Sequence, residues 1–153
     1  MLELNLPTYN YRLEEDNGKL LIFDPIRKKF ITLTPEEWVR QHFINLLVNH
    51  LNYPASRINV EGGIKYNQLL KRVDLMVLDN TLKPQVLVEC KSPSIAISQA
   101  TLAQLSVYNK VCEAALVVLT NGMVTYAGLC KSHGNFELLE RLPKAQELRH
   151  LLN

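Results

Sequence analysis

The sequence predicts an α/β or α+β fold built on a mixed central sheet. Two observations predict it. Elements follow in the order strands, helix, three strands, helix, strands, helix. In addition, residues 72–78 and 85–91 are apolar on both faces, as central strands covered by helices are. The 153 residues suit one domain. Residues 1–33 read as an N-terminal β extension, 34–129 as the core, and 130–153 as a closing strand and helix.

The elements follow from local chemistry. Residues 11–14 are a short extended run, Asp16-Asn17-Gly18 is a turn and 20–23 is apolar, which reads as a hairpin. Asp24-Pro25 turns the chain again, and Phe30, Ile31 and Leu33 alternate loosely into another strand. Thr34 can cap a helix, with Pro35 at its first position and Glu36 and Glu37 at the positive end of the dipole. Thr34 and Glu37 also have capping-box spacing. Val39, Phe43, Leu46, Leu47 and His50 or Leu51 mark one buried stripe, and Asn52-Tyr53-Pro54 ends it.

Strands are predicted at 57–65, where Gly62-Gly63 permits a bend, then at 72–78 and 85–91. Ser98 caps a second helix reaching Val111 or Cys112. Residues 115–120 form an apolar strand, Asn121-Gly122 a hairpin turn and 124–129 the return. A polar loop precedes a last strand at 136–138. Pro143 opens a terminal helix with Leu148, Leu151 and Leu152 on one side.

A net charge of +2 is too mild to demand a nucleic-acid partner, although a local basic patch matters more than the total. Cys90, Cys112 and Cys130 contain no C-x-x-C pair, which argues against structural zinc and a disulfide framework. Reduced thiols in a cytoplasmic protein are expected. The N-terminus lacks the basic start and apolar run of a signal peptide, and no apolar stretch approaches the ~20 residues that span a bilayer. His42, His50, His133 and His150 follow no ligand spacing. Arg27, Lys28 and Lys29 read as a solvated turn, or with Lys65, Lys71 and Arg72 as a DNA-facing patch.

The charges in the two central strands need an explanation, since a charge in an apolar strand is costly unless paired or bound to metal. Strand alternation points Glu89 and Lys91 the same way and Cys90 to the other face. If the two strands pair through the turn at 79–84, Asp74 lies beside Glu89. Two carboxylates, with the backbone carbonyl of Cys90, make a hard oxygen site for Mg²⁺, and Lys91 could position hydroxide or stabilise the transition state. The alternative is a set of strand-end salt bridges. Gln104 and Tyr108 share a face of the following helix and can hold a phosphate, a water or a metal ligand, or else simply pack. Glu37 stands equally for a capping-box carboxylate and a residue at the metal, with Glu36 the less favoured choice.

Asp74, Glu89-Cys90-Lys91 and Gln104-Leu-Ser-Val-Tyr108 resemble the PD-(D/E)xK nuclease superfamily. The wording "TPEEWVRQ", "KRVDLMVLD", "VLVECKSP", "YN" and "LTNG" resembles the N-terminal nuclease domain of type I restriction enzyme R subunits, from about Thr34 to Leu129. The resemblance implies a restriction-endonuclease-like αβββαβ core and hydrolysis of DNA phosphodiester bonds dependent on Mg²⁺ or Mn²⁺. It implies Asp74 and Glu89 as metal ligands with Cys90, Lys91 as the catalytic lysine, Gln104 and Tyr108 as the accessory helix pair, and Glu37 as the helix acid that some members add. Val73 stands where the superfamily's name puts proline. The sequence contains no G-x-x-x-x-G-K-[ST] phosphate loop, so a standalone nuclease-like domain, or a part needing partners, is expected. DNA and other restriction-system subunits are the expected partners, with no membrane, and a homodimer is compatible. The rival expectation is a non-catalytic DNA-binding or assembly module on the same fold.

Overall fold

Two antiparallel meanders joined along one parallel seam make up the main sheet of this computed structural model. It describes residues 1–66, 69–131 and 136–152, with the side chains of 63–71 and 106–112 outside the description. The first meander is β4 (Ile58–Tyr66), β5 (Leu69–Leu78) and β6 (Pro84–Cys90). The second is β7 (Leu116–Thr120), β8 (Thr125–Cys130) and β9 (Phe136–Leu139). Among the described strands only β6 and β7 run parallel, with Val86 opposite Leu116 and Cys90 opposite Thr120. A parallel pair needs a long crossover, and α2 (Gln99–Cys112) supplies it. The mixed αβββαβ core expected from the sequence is therefore the observed architecture.

The N-terminal extension is a separate antiparallel sheet of β1 (Leu13–Asp16), β2 (Lys19–Asp24) and β3 (Lys29–Thr32). It leads into α1 (Pro35–Asn45), whose start is as the sequence predicts: Thr34 Oγ1 accepts the Glu37 N–H at 3.0 Å, and Pro35 takes the first turn. The expected single helix to Leu51 is instead α-helical to Asn45, with a π-helical turn over Leu46–His50. Every residue from Glu37 to Asn45 is buried, so α1 is enclosed all round and has no solvent face there. The terminal helix α3 (Ala145–Leu152) buries Ala145 and Leu148, while Leu151 and Leu152 stay exposed.

Two apolar layers sandwich the main sheet. On one side Val39, Phe43, Ile44 and Leu47 of the first helical segment pack against Leu75, Val77, Val86 and Val88. On the other, Leu102 and Leu105 of α2 pack against Val73, Met76, Leu87, Val117 and Leu119. β5 begins at Leu69, earlier than the expected 72, while β6 ends at Cys90. Lys91 thus lies just past its strand, though its N–H still donates to the Thr120 carbonyl at 2.8 Å. The bend expected at Gly62-Gly63 sits one residue earlier, at Glu61, whose φ is 55°.

The Asn121-Gly122 turn ties the N-terminus to the second meander. Gly122 has φ 84°, and its carbonyl accepts the Asn5 N–H at 2.8 Å. A Cβ there would stand 2.9 Å from a Leu4 methyl and 3.0 Å from a Val39 methyl. Gly122→Ala combines a left-handed backbone penalty with overpacking. It should lower stability by about 2–3 kcal/mol, measured as a reduced urea midpoint at unchanged slope.

Candidate active site

The site is built where β5 and β6 part. Their ladder runs through Leu75 opposite Val88 and is not continued to Asp74 and Glu89. β5 carries on paired with β4, but that ladder also skips Asp74: the pairs Val60–Leu75 and Gly62–Val73 flank a gap at Glu61. Side-chain alternation fails here too, since Val73 packs in the α2-side layer and Leu75 in the α1-side layer. The Asp74 side chain fills the missing link. Its Oδ2 accepts the Cys90 N–H at 2.7 Å, in place of a backbone carbonyl.

The structure brings several of the expected residues together. Asp74 and Glu89 line one small recess with Arg72, Val73, Leu87, Val88 and Leu105. Lys91 Nζ stands 3.9 Å from Glu89 Oε1, and both side chains are partly exposed. Cys90 points the other way, into the α1-side layer, as alternation requires. Its thiol pKa is pushed well up by burial and by the Asp74 carboxylate, against the lowering field of Arg40. Only the backbone of Cys90 can therefore face a cation here. Gln104 is exposed on α2, one residue before Leu105 of the recess. The Tyr108 side chain, like those of Lys65, Lys71 and His133, lies outside the described residues.

Glu37 occupies a different position from the one expected of a metal ligand. Its amide completes the N-cap, but its carboxylate is buried and committed. Oε1 accepts Arg40 Nη1 at 2.7 Å and Arg27 Nη2 at 3.1 Å, and Oε2 accepts Gln41 Nε2 at 3.1 Å. Glu36, on the same helix, accepts Arg40 Nη2 at 3.5 Å and feels the charges of Asp74 and Lys91. Burial raises its pKa and Asp74 raises it further, while Arg40 and Lys91 work in the opposite direction.

A buried ion network that the sequence reading missed surrounds these groups. Arg40 spans Glu37 and Asp74, its Nη2 donating to Asp74 Oδ1 at 2.8 Å. Burial works against its charge, but Glu37 and then Asp74 hold its pKa above the ordinary value. Arg27, expected in a solvated basic turn, instead donates from Nε to Asp24 Oδ2 at 2.6 Å and also pairs with Glu37 and Glu61. Glu61, in its left-handed conformation, also approaches Arg40 at 3.6 Å and Arg72 at 3.8 Å. The available signal was the Asp24-x-x-Arg27 spacing just before a helix carrying Glu37, Arg40 and Gln41. Their complementarity spans a sheet–helix junction that no local pattern predicts.

Among the described residues no group of three or more His, Cys, Asp and Glu is arranged to hold a metal ion. Two hard carboxylates are nevertheless the donor type and number that Mg²⁺ takes from a protein while keeping its waters. Each Asp74 oxygen accepts one hydrogen bond and retains a lone pair, and Glu89 makes a loose 3.9 Å contact with Lys91. The donor chemistry fits.

Residues 35–143 match the family model described as the type I restriction enzyme R protein N terminus (HSDR_N). The chain belongs to that family. A solved fragment described as a proposed HsdR subunit of a type I restriction enzyme from Vibrio vulnificus YJ016 shares the fold, with TM-score 0.60 and 19% identity over 78% of this chain. The chain spans 25% of the length of that R-subunit fragment. A proposed nuclease of the DUF820 group from Anabaena variabilis ATCC 29413 aligns over 95% of this chain and 88% of its own, at 12% identity and TM-score 0.47, too distant to carry an argument. No curated protein matches the chain. Among the described residues no helix is long and apolar enough to cross a membrane.

The buried network sets an acid limit on this R-protein domain. Burial alone would raise the pKa of Asp24, but hydrogen bonds from the Arg27 backbone and side chain and from Gln41 bring it below the ordinary value. A depressed carboxylate stabilises the fold fully above its unfolded pKa of about 3.9, and that contribution is lost as pH falls through the folded value. Asp24→Asn should cost about 3 kcal/mol near neutrality. It should also flatten the decline of stability below about pH 4, read from urea unfolding across the acid range.

Proposed function

We propose that this R-protein N-terminal domain is a nuclease domain of PD-(D/E)xK type that hydrolyses DNA phosphodiester bonds with Mg²⁺ or Mn²⁺. The observation that carries the reading is the notch between β5 and β6, lined by Asp74 and Glu89 and flanked by Lys91. Asp74 and Glu89, with the Cys90 backbone, would hold the ion. When bound, such an ion lowers the pKa of a coordinated water and offsets charge on the phosphate.

The chain's own residues supply the rest. Lys91 follows the end of β6, its backbone pinned to Thr120, and presents an ammonium to a phosphate lying over the notch. Arg72, exposed and bordering the same recess, is placed to meet the DNA backbone from the β5 side. Glu36, half exposed and in contact with Arg40 Nη2 at 3.5 Å, is the helix acid assigned to this opening. Gln104 on α2 is the accessory polar group. Other restriction-system subunits are the expected partners, an expectation supported by the family match.

One observation favours the non-catalytic alternative: both Asp74 oxygens already accept hydrogen bonds within the fold. Salt-sensitive DNA binding without metal-dependent cutting would establish that alternative.

Purified protein should cut DNA with Mg²⁺ or Mn²⁺, and Lys91→Ala should retain the fold while losing about 10²-fold or more in rate. Cutting that survives Lys91→Ala, Asp74→Asn and Glu89→Gln alike removes the reading. The two helix acids should separate cleanly. Glu36→Gln should slow cutting with little change in melting temperature. Glu37→Gln should instead destabilise the fold, by about 3 kcal/mol for a broken buried pair.

A further inference from the structure

We propose that Arg40 is a positioning residue: anchored by Glu37, its guanidinium fixes the Asp74 carboxylate in the orientation from which it would ligate a divalent cation. The proposal rests on the metal-dependent reading above and adds a residue outside the acid–acid–lysine set.

Geometry carries it. The Arg40 side chain is only 5% exposed. One terminal nitrogen donates to Glu37 at 2.7 Å and the other to Asp74 at 2.8 Å. A guanidinium is a rigid plane, so these two contacts fix the two carboxylates relative to each other. Asp74 is gripped from the opposite side by the Cys90 N–H at 2.7 Å. With one donor on each oxygen, the carboxylate cannot turn about its own axis without losing a bond. Metal-ligating carboxylates are commonly oriented by such outer hydrogen bonds.

The anchor is itself braced. Glu37 takes two hydrogen bonds from Arg27 Nη2, at 3.1 and 3.2 Å, and one from Gln41. Arg27 lies between β2 and β3 and is tied to the fully buried Asp24. The N-terminal sheet, outside the 35–143 family match, therefore helps set the position of Asp74 through Arg27, Glu37 and Arg40.

A simple counter-ion role differs from a positioning role. A lysine would supply the same charge but not the fork, since one ammonium cannot keep the two in-plane contacts with Glu37 and Asp74. Arg40→Lys therefore isolates orientation from charge.

The test titrates Mn²⁺ into the wild-type chain and Arg40→Lys by calorimetry, without DNA, and follows hydrogen exchange of the Cys90 amide in metal-free protein. Mn²⁺ affinity should fall roughly 10-fold or more, and the Cys90 amide should exchange faster, with global unfolding measured separately. Should Arg40→Lys fail to fold, Arg27→Lys, which leaves Arg40 in place but loosens Glu37, should give a smaller loss of affinity in the same direction. Affinity unchanged in a folded Arg40→Lys overturns the positioning role and leaves the nuclease reading standing. Tighter Mn²⁺ binding would mark Arg40 as a competitor for the Asp74 carboxylate and equally overturn it. Wild-type protein that binds no Mn²⁺ removes the metal reading and this proposal together.

Discussion

A desolvated arginine held between two carboxylates organises this domain. Arg40 is enclosed, and its charge persists because Glu37 and Asp74 lie close against it, with Glu36 and Glu61 farther off at 3.5 and 3.6 Å. Its Nε has no partner among the described residues, so the terminal pairings carry the compensation for burial. A buried ion pair adds little net stability over an apolar substitute, while breaking one is costly. The value of such an arrangement is geometric: it dictates how α1, the N-terminal sheet and β5 must sit relative to one another.

That constraint accounts for the irregularities around it. Glu61 tolerates a left-handed backbone, normally unfavourable for a side-chain-bearing residue by roughly 1–2 kcal/mol, while its carboxylate faces three arginines. The β5 ladder is interrupted on both sides at Asp74, and the side chain, not the backbone, satisfies the Cys90 amide. Regular pairing through this position would close the notch. Sheet order is given up locally, which leaves two carboxylates at an opening.

The parts of the fold readable from sequence are those set by local chemistry. The Thr34 cap, the Asn121-Gly122 turn and the apolar runs of β5, β6 and β7 each depend on neighbours within a few residues. The juxtaposition of Asp74 and Glu89 was also readable, because a short hairpin joins the strands that carry them. What was not readable depends on long-range burial. Arg40, Gln41, His42 and Asn45 have the composition of a solvent-facing stripe, yet all four are buried, with the N-terminal segment and its sheet against Gln41 and His42. Trp38 Nε1 reaches the Leu2 carbonyl, and Tyr9 and Tyr11 pack on His42. Once that face is closed, polar residues there must find partners inside, which is why Glu37, Arg40 and Gln41 are buried as a bonded set with the part-buried Arg27 at its edge.

The parallel seam between β6 and β7 has a kinetic implication. Each meander is knitted from neighbouring segments, so either can begin to assemble without the other. Among the described strand pairings of the main sheet, the seam is the one that demands closing a long loop through α2, a slow, entropically expensive step. Asp74, Glu89 and Arg40 all precede that crossover and are therefore synthesised before it. The charged centre can thus begin to form before the second meander docks, and the docking step would then fasten Lys91, through Thr120, to a scaffold already in place.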